Sequence, residues 1–358
     1  MNKSYVVVLA LIIVILGGAI VLKGKFDSGE TLKIGVITAL TGDVSYLGQS
    51  SKVGADLAKI DLAKEGINVD LIFDDAQLDP KMALSAAQKQ VNVDRVQAIY
   101  SEFNPAAVAV SSFIKDKNIL NIYDAAPVSP LKESTNIYKT FIDFEHGCEK
   151  TAEYLKSKGV QKVGILQSNL EFGQLCTNGI VRVYGDNVSV ETYNPGTTDF
   201  RTLLSKLKGA GSQVIFNGSF ASDQIVVLQN MRGLKFEIPF AGLNELVTSD
   251  AVKNDPSLLQ HVVVFGLPVA SGSFVEKFNK ELPGVTVPDT RMAAVAYIHL
   301  TQMARALHAC GTNMECVRTQ MDKSAAAPEI GFRGFKNHIA DFEVFIEEFK
   351  DGAFVPVP

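Results

Sequence analysis

Residues 32–66, LKIGVITALTGDVSYLGQSSKVGADLAKIDLAKEG, constrain the fold of this chain more than any other stretch. An apolar β-branched run at 33–39 opens it, short enough for a strand buried on both faces. A loop of small and hydrogen-bonding residues follows at 40–48, with Thr41, Gly42, Asp43, Ser45 and Tyr46 in it. Val53, Leu57, Ile60 and Leu62 then recur at helical spacing, and Gly66 is placed to close the helix. Strand, polar loop and helix make the first half of a βαβ unit. In an open parallel sheet, ligands bind beyond the carboxyl ends of the strands, where this loop lies.

The same rhythm continues. A strand at 69–73 runs into Asp74 and Asp75, and Asp79 before Pro80 marks a helix start, with a carboxylate cap and a proline that has no donor to lose. A strand at 98–100 leads to the loop Ser101, Glu102, Phe103, Asn104, Pro105, and a strand at 120–123 leads to Asp124, Ala125, Ala126, Pro127. The pattern restarts near Ile142. Strands at 162–166, 188–193, 213–217 and 237–240 alternate with helices, and their ends present Phe172, Phe220, Asn244 and Glu245. A strand at 261–267 precedes helices at 274–280 and 291–310, which have nowhere to pack except the first domain. Segments 330–335 and 342–349 read as a terminal strand pair, with a turn at 350–352. The expected fold class is α/β, with two doubly wound, Rossmann-like lobes joined as a hinged clamshell.

The length of 358 residues suits two such domains, and 47% apolar residues suffice for two cores. A net charge of -5 with no concentration of Lys or Arg argues against nucleic-acid binding. Near the N-terminus, residues 5–22 form an unbroken apolar run between Lys3 and Lys23. That run is either a secretory signal, cut after the small residues Gly17, Gly18 and Ala19, or an uncleaved membrane anchor. Ile20, Val21 and Leu22 continue it past the small residues and favour the anchor. Either way, the bulk of the chain is expected outside the cytoplasmic membrane.

Four cysteines fit an oxidising compartment. Cys310 and Cys316 bracket a helix-to-helix turn, with Gly311 ending one helix and Thr312 with Glu315 reading as a capping box for the next. A bridge there is worth about 2 kcal/mol on the chain-entropy model, and one between Cys148 and Cys176 about 3 to 4. The alternative is four buried thiols.

Phosphate loops, dinucleotide fingerprints, H-E-x-x-H, C-x-x-C and G-x-S-x-G elbows are missing, so the chain reads as a binding protein and not as an enzyme, with no metal or cofactor. The positive signal is the recurrence of polar loops at strand ends, at 41–47, 102–104, 125–127, Phe172, Phe220 and 244–245. Helix N-termini there can hold a carboxylate, Glu102 or Glu245 an ammonium, and Phe103, Phe172 and Phe220 supply an apolar wall. If the two halves face each other, these loops line one cleft.

At those loops the chain resembles the Leu/Ile/Val-binding periplasmic solute-binding proteins, a type I periplasmic-binding fold. The likeness covers about 32–355 and rests on IGVITALTGDVSYLGQSSKVGADLA, LIFDDAQLDPKMALSAAQ, ILNIYDAAP, VGILQSNLEFG and the late GFRGF and VFIEEFKDG. It implies a clamshell that closes on a small ligand and delivers it to an ABC permease. The hinge crossings would fall near 139–142, 266–269 and 328–332, giving a leader at 1–30, lobe 1 at 31–140 with 268–328, and lobe 2 at 141–267 with 329–358. By position, the family's carboxylate-holding serine falls at Asn104, its second hydroxyl at Pro127 and its backbone acceptor at Ala125, beside Ala126. Its aromatic contacts fall at Phe172 and Phe220, its ammonium-binding glutamate at Asn244 beside Glu245, and its loop aromatic at Leu47 beside Tyr46. Lost hydroxyls at Pro127 and Phe220 remove donors of about 1 kcal/mol each. They open the choice of ligand from branched-chain amino acids to a more apolar carboxylate, an amide or another small metabolite. A ligand-sensing ectodomain that signals to a partner would use the same cleft.

Overall fold

A computed structural model describes residues 31–357 except 43, 133, 249 and 267–269. Among the described residues there are two compact units: one holds 31–140 with Gly272–Ala325 and Gly334–His338, the other Phe141–Ser271, Ala326–Arg333 and 339–357. The apolar run expected to be a signal or anchor, at 5–22, lies outside the described residues, as do 267–269 of one expected crossing. Among the described residues, no helix is long and apolar enough to cross a membrane.

The first unit alternates β1 (Leu32–Thr38), α1 (Ser45–Lys64), β2 (Val69–Asp75), α2 (Pro80–Lys89), β3 (Ala98–Glu102), α3 (Ala106–Ile114), β4 (Leu120–Asp124) and β5 (Ile137–Lys139). The second repeats the design with α4 (Phe144–Ser157), β6 (Val163–Ser168), α5 (Glu171–Tyr184), β7 (Val188–Tyr193), α6 (Arg201–Gly209), β8 (Val214–Asn217), α7 (Ala221–Gly233), β9 (Phe240–Leu243), α8 (Asp250–Asn254) and β10 (Val262–Gly266). The chain then forms α9 (Gly272–Glu281), α10 (Thr290–Cys310) and α11 (Met314–Asp322) in the first unit. It ends with β11 (Phe332–Lys336), β12 (Ile339–Phe342), β13 (Phe345–Lys350) and β14 (Ala353–Pro356). The sheets run β11-β12-β5-β4-β3-β1-β2 and β14-β13-β10-β9-β8-β6-β7.

In the first sheet β1 pairs in parallel with both β2 and β3, and β3 with β4. Leu32, Ile34 and Val36 point to one face, under α1, α10 and α11; Ile37 and Ile99 point to the other, under α2 and α3. The connections of β1 and β3 therefore leave on opposite faces, so a crevice opens at their carboxyl ends. In the second sheet, β6 takes the corresponding place between β7 and β8. The doubly wound α/β reading holds for both sheets.

Local details differ from the sequence reading. The terminal segment forms four strands, not two, and divides them between the two sheets. Its turn is as expected: Asp351 (φ 52°) and Gly352 (φ 86°) make the two-residue loop of the β13–β14 hairpin. The fourth strand of the second unit is Phe240–Leu243, three residues later than expected, because Gly242 is not a turn residue but a place for a side chain to lie. A Cβ on Gly242 would sit 2.0 Å from Oε1 of Gln224, which accepts the Leu243 N–H at 3.0 Å. Asn313, not Thr312, caps α11, accepting from the Cys316 N–H at 3.1 Å. Asp79 caps α2 as expected, accepting from the N–H groups of Lys81 and Met82 at 2.7 and 2.9 Å. Both cysteine pairs are bridged, Cys148–Cys176 with Cα atoms 5.2 Å apart and Cys310–Cys316 with 5.5 Å.

Candidate functional site

In the first unit the carboxyl ends of β1, β3 and β4 lie at one edge because the three strands are parallel. Helix α1 begins at Ser45, so Tyr46 and Leu47 stand on its first turn instead of in a loop. Gly48 brings that turn down onto the strand: a Cβ there would meet the Ala39 carbonyl oxygen at 2.1 Å and Thr38 Oγ1 at 2.8 Å. Asp75, at the end of β2, ties back the loop after β1 by accepting from the Leu40 N–H at 2.8 Å and the Thr41 hydroxyl at 2.5 Å. The adjacent Asp74 pairs with Lys89 at 3.1 Å. Neither acid is part of a metal cluster, and no group of three or more ligating side chains occurs among the described residues.

Glu102 is not in a loop but is the last residue of β3, 1% exposed. Parallel register sets it directly beside Asp124, the last residue of β4, which is also buried. Burial pushes the Glu102 carboxyl up to about 8, and the neighbouring Asp124 adds to the shift. Ser51 of α1 donates to Glu102 Oε1 at 2.6 Å. Thr38 and Tyr100 also lie near the carboxyl, yet among the described residues neither hydroxyl nor Glu102 Oε2 has a hydrogen bond of good geometry. At neutral pH the group is therefore mostly a protonated acid able to donate. The sequence reading missed Asp124, Thr38, Ser51 and Tyr100 as its companions; only strand register brings them together.

Phe103 follows with φ 68°, a left-handed conformation uncommon for an aromatic residue, and its N–H donates to the Asp124 carbonyl at 2.9 Å. This kink turns Asn104 to a half-buried position where Oδ1 is buried without a partner. Asn104 does not cap α3, whose N-cap position is Pro105, and no side chain caps that helix. Ala125, Ala126 and Pro127 are buried after β4, and the Pro127 carbonyl accepts from the Tyr123 hydroxyl at 2.7 Å.

The second unit has a matching edge. Phe172 stands on the first turn of α5 and is buried; Phe220 is the N-cap residue of α7 and 38% exposed. Their rings meet edge to face with centroids 5.2 Å apart, and Phe172 meets Phe144 in the same way at 5.8 Å. Gly173 repeats the part played by Gly48: a Cβ there would sit 2.2 Å from the Ser168 carbonyl oxygen. Ser168 Oγ and Asn217 Oδ1, at the ends of β6 and β8, are buried without partners. Asp223 on α7 accepts from Ser219 Oγ at 2.9 Å and from the Tyr193 hydroxyl at 3.1 Å. Asn244 follows β9 and packs against Gly266, where an added Cβ would come within 2.2 Å of its side chain; Glu245 is next to it in a 3-10 turn.

One contrast unites the two edges. Among the described residues, helices α1, α3, α5 and α7, which follow the inner strands β1, β3, β6 and β8, have no side-chain cap on their first turns. Elsewhere α2, α4, α10 and α11 are capped by Asp79, Asp143, Asp289 and Asn313, while α6, after the edge strand β7, has Phe200 at its N-cap without a side-chain cap, and Asp199 one residue earlier accepts from the Arg201 N–H at 3.0 Å. Uncapped N–H groups at a helix start attract anions and hydrogen-bond acceptors.

The sequence profile of the family described as periplasmic binding protein matches residues 31–346. The Leu/Ile/Val-binding protein homolog 3 of Brucella melitensis is 28% identical over 208 residues, 54% of this chain and 55% of that protein. The match thus spans about half the length of that relative. An ABC-transporter solute-binding protein from R. palustris, solved with 4-hydroxybenzoate, aligns with a TM-score of 0.77 at 19% identity, covering 92% of this chain and 96% of the other. A branched-chain amino acid transporter substrate-binding protein from Streptococcus pneumoniae, solved with isoleucine, aligns with a TM-score of 0.75 at 16% identity, covering 92% and 100%. At these identities the structural likeness is one of fold.

Proposed function

This chain belongs to the periplasmic binding protein family, and from that premise we propose that it captures a small carboxylate with an apolar body and delivers it to an ABC permease. Each unit would offer its carboxyl-edge residues to the same solute. The observation that supports this reading is the set of four uncapped helix starts at the inner strand ends. A carboxylate would take its hydrogen bonds from the opening of α3 near Asn104 and from the first turn of α1 near Tyr46 and Leu47. Ala125 would accept through its carbonyl, next to Ala126 and Pro127. Phe172 and Phe220 would cover the apolar body, and Asn244 with Glu245 would meet the end of the ligand away from the carboxylate. Glu102, mostly protonated, would add little negative charge at the end of β3.

A few charge-assisted hydrogen bonds with modest apolar burial give affinities of about -8 kcal/mol, in the micromolar range. The protein would work outside the cytoplasmic membrane, held there by the segment at 5–22. Calorimetric titration of the full-length protein with isoleucine, leucine, valine, benzoate and 4-hydroxybenzoate, each beside its carboxyl amide, tests the reading. At least one acid should bind with its amide much weaker, and Asn104→Asp should abolish the binding by placing a like charge at the carboxylate. Binding unaffected by Asn104→Asp, or amides bound as well as acids, would overturn it.

A further inference from the structure

We propose that the Cys148–Cys176 disulfide positions the aromatic side of the ligand site and is not simply a folding staple. The proposal rests on the reading that Phe220 faces the solute. Cys148 lies four residues after Phe144 on α4, and Cys176 four residues after Phe172 on α5, so each cysteine shares a helix face with a phenylalanine. The two rings meet edge to face at 5.8 Å, and Phe172 carries the contact on to Phe220 at 5.2 Å. Phe144 also meets Phe265 of β10 at 5.5 Å, which anchors the row in the core. Gly218 fits into the same cluster: a Cβ there would lie 2.7 Å from Cys176 Sγ and 3.1 Å from Phe144.

The bridge is therefore packed directly beneath the aromatic row, and both its cysteines are buried. The pairing of α4 with α5 does not depend on it. Gly179 brings α5 against the Glu145 carbonyl, where a Cβ would come within 2.3 Å, and Arg182 pairs with Glu145 and, at 3.2 Å, with Glu149. With these contacts intact, loss of the bridge releases the first turns of the helices, and with them the phenylalanines. A wall that is loose before binding must be ordered on binding, which weakens affinity for the apolar part of a ligand.

The chain contains no tryptophan, so Phe220→Trp supplies a single indole reporter. In that background, Cys148→Ala with Cys176→Ala should shift indole emission to the red and raise its acrylamide quenching, with far-UV circular dichroism unchanged. Gly218→Ala, which presses on the same cluster with the bridge intact, should do likewise. In a parallel arm, the full-length protein with and without the bridge is titrated with 4-hydroxybenzoate and isoleucine. Whichever probe binds the parent should bind the bridgeless variant about tenfold more weakly. If neither probe binds the parent, and leucine, valine and benzoate do not bind it either, the assigned ligand class fails, and the indole arm still decides the role of the bridge. Unchanged emission and quenching in both variants would overturn the proposal. A bridgeless variant that loses its circular dichroism would also overturn it, leaving the bridge as a folding staple.

Discussion

Replacing Glu102 by glutamine isolates what a buried acid contributes at the end of β3. The folded carboxyl titrates at about 8 against an ordinary value of 4.5, because it is buried and stands beside Asp124. Between those values the folded chain holds a proton that the unfolded chain has released, so this group's contribution to stability falls as pH rises from 4.5 to 8. Relative to a side chain that is always neutral, the cost is about 1 kcal/mol at pH 5 and about 4 kcal/mol at pH 8, since each pH unit in that window is worth about 1.4 kcal/mol. Glutamine has nearly the same shape. Its carbonyl can accept from Ser51, and its amide can donate towards Thr38 or Tyr100, whose oxygens lack partners. Urea unfolding of Glu102→Gln and the parent at pH 5 and pH 8 should therefore show the variant gaining about 3 kcal/mol more at the higher pH. A gain equal at both values, or a loss at pH 8, would refute the assignment of a protonated acid at this position.

Other perturbations follow from the same geometry. His299 is fully buried in α10, contacts the Thr140 hydroxyl and has Gln302 Oε1 at 3.0 Å from Nδ1; burial lowers its titration to about 4 from an ordinary 6.5. The unfolded chain therefore takes up a proton first as pH falls, and stability should drop by up to about 3 kcal/mol between pH 6.5 and 4, a slope that His299→Gln should flatten in denaturant titrations. Gly48→Ala forces a Cβ onto the Ala39 carbonyl at 2.1 Å, and should cost about 1 to 3 kcal/mol in urea unfolding while weakening ligand binding. Asp79→Ala removes the α2 cap and should cost about 1 kcal/mol, seen as a lower urea midpoint at unchanged slope.

The alternation of strands and helices was legible because parallel strands buried on both faces read as unbroken apolar runs, and Asp79-Pro80 and Asp351-Gly352 have local chemistry that no tertiary contact overrides. Register was not legible. Nothing in the sequence places Glu102 beside Asp124, since they are neighbours only through the β3–β4 pairing. The later position of β9 has a related cause: Gly242 lies in mid-strand, where Gln224 lies over it, a contact distant in sequence. The helix start at Ser45 also lies earlier than the loop at 40–48 indicates, because its first turn is fixed by Gly48 seating on the Ala39 carbonyl just past β1. The candidate residues were read mainly from their place at strand ends, a property of the topology; their protonation, burial and partners depend on contacts distant in sequence.

If this chain holds a small solute, native mass spectrometry of the full-length protein, purified without denaturant, should show it. One small-molecule adduct per chain is expected, released on acid denaturation, carrying a carboxyl group, and absent from the Asn104→Asp variant. A bare chain mass under gentle conditions, with no acid or amide in the panel raising its melting temperature, would contradict it.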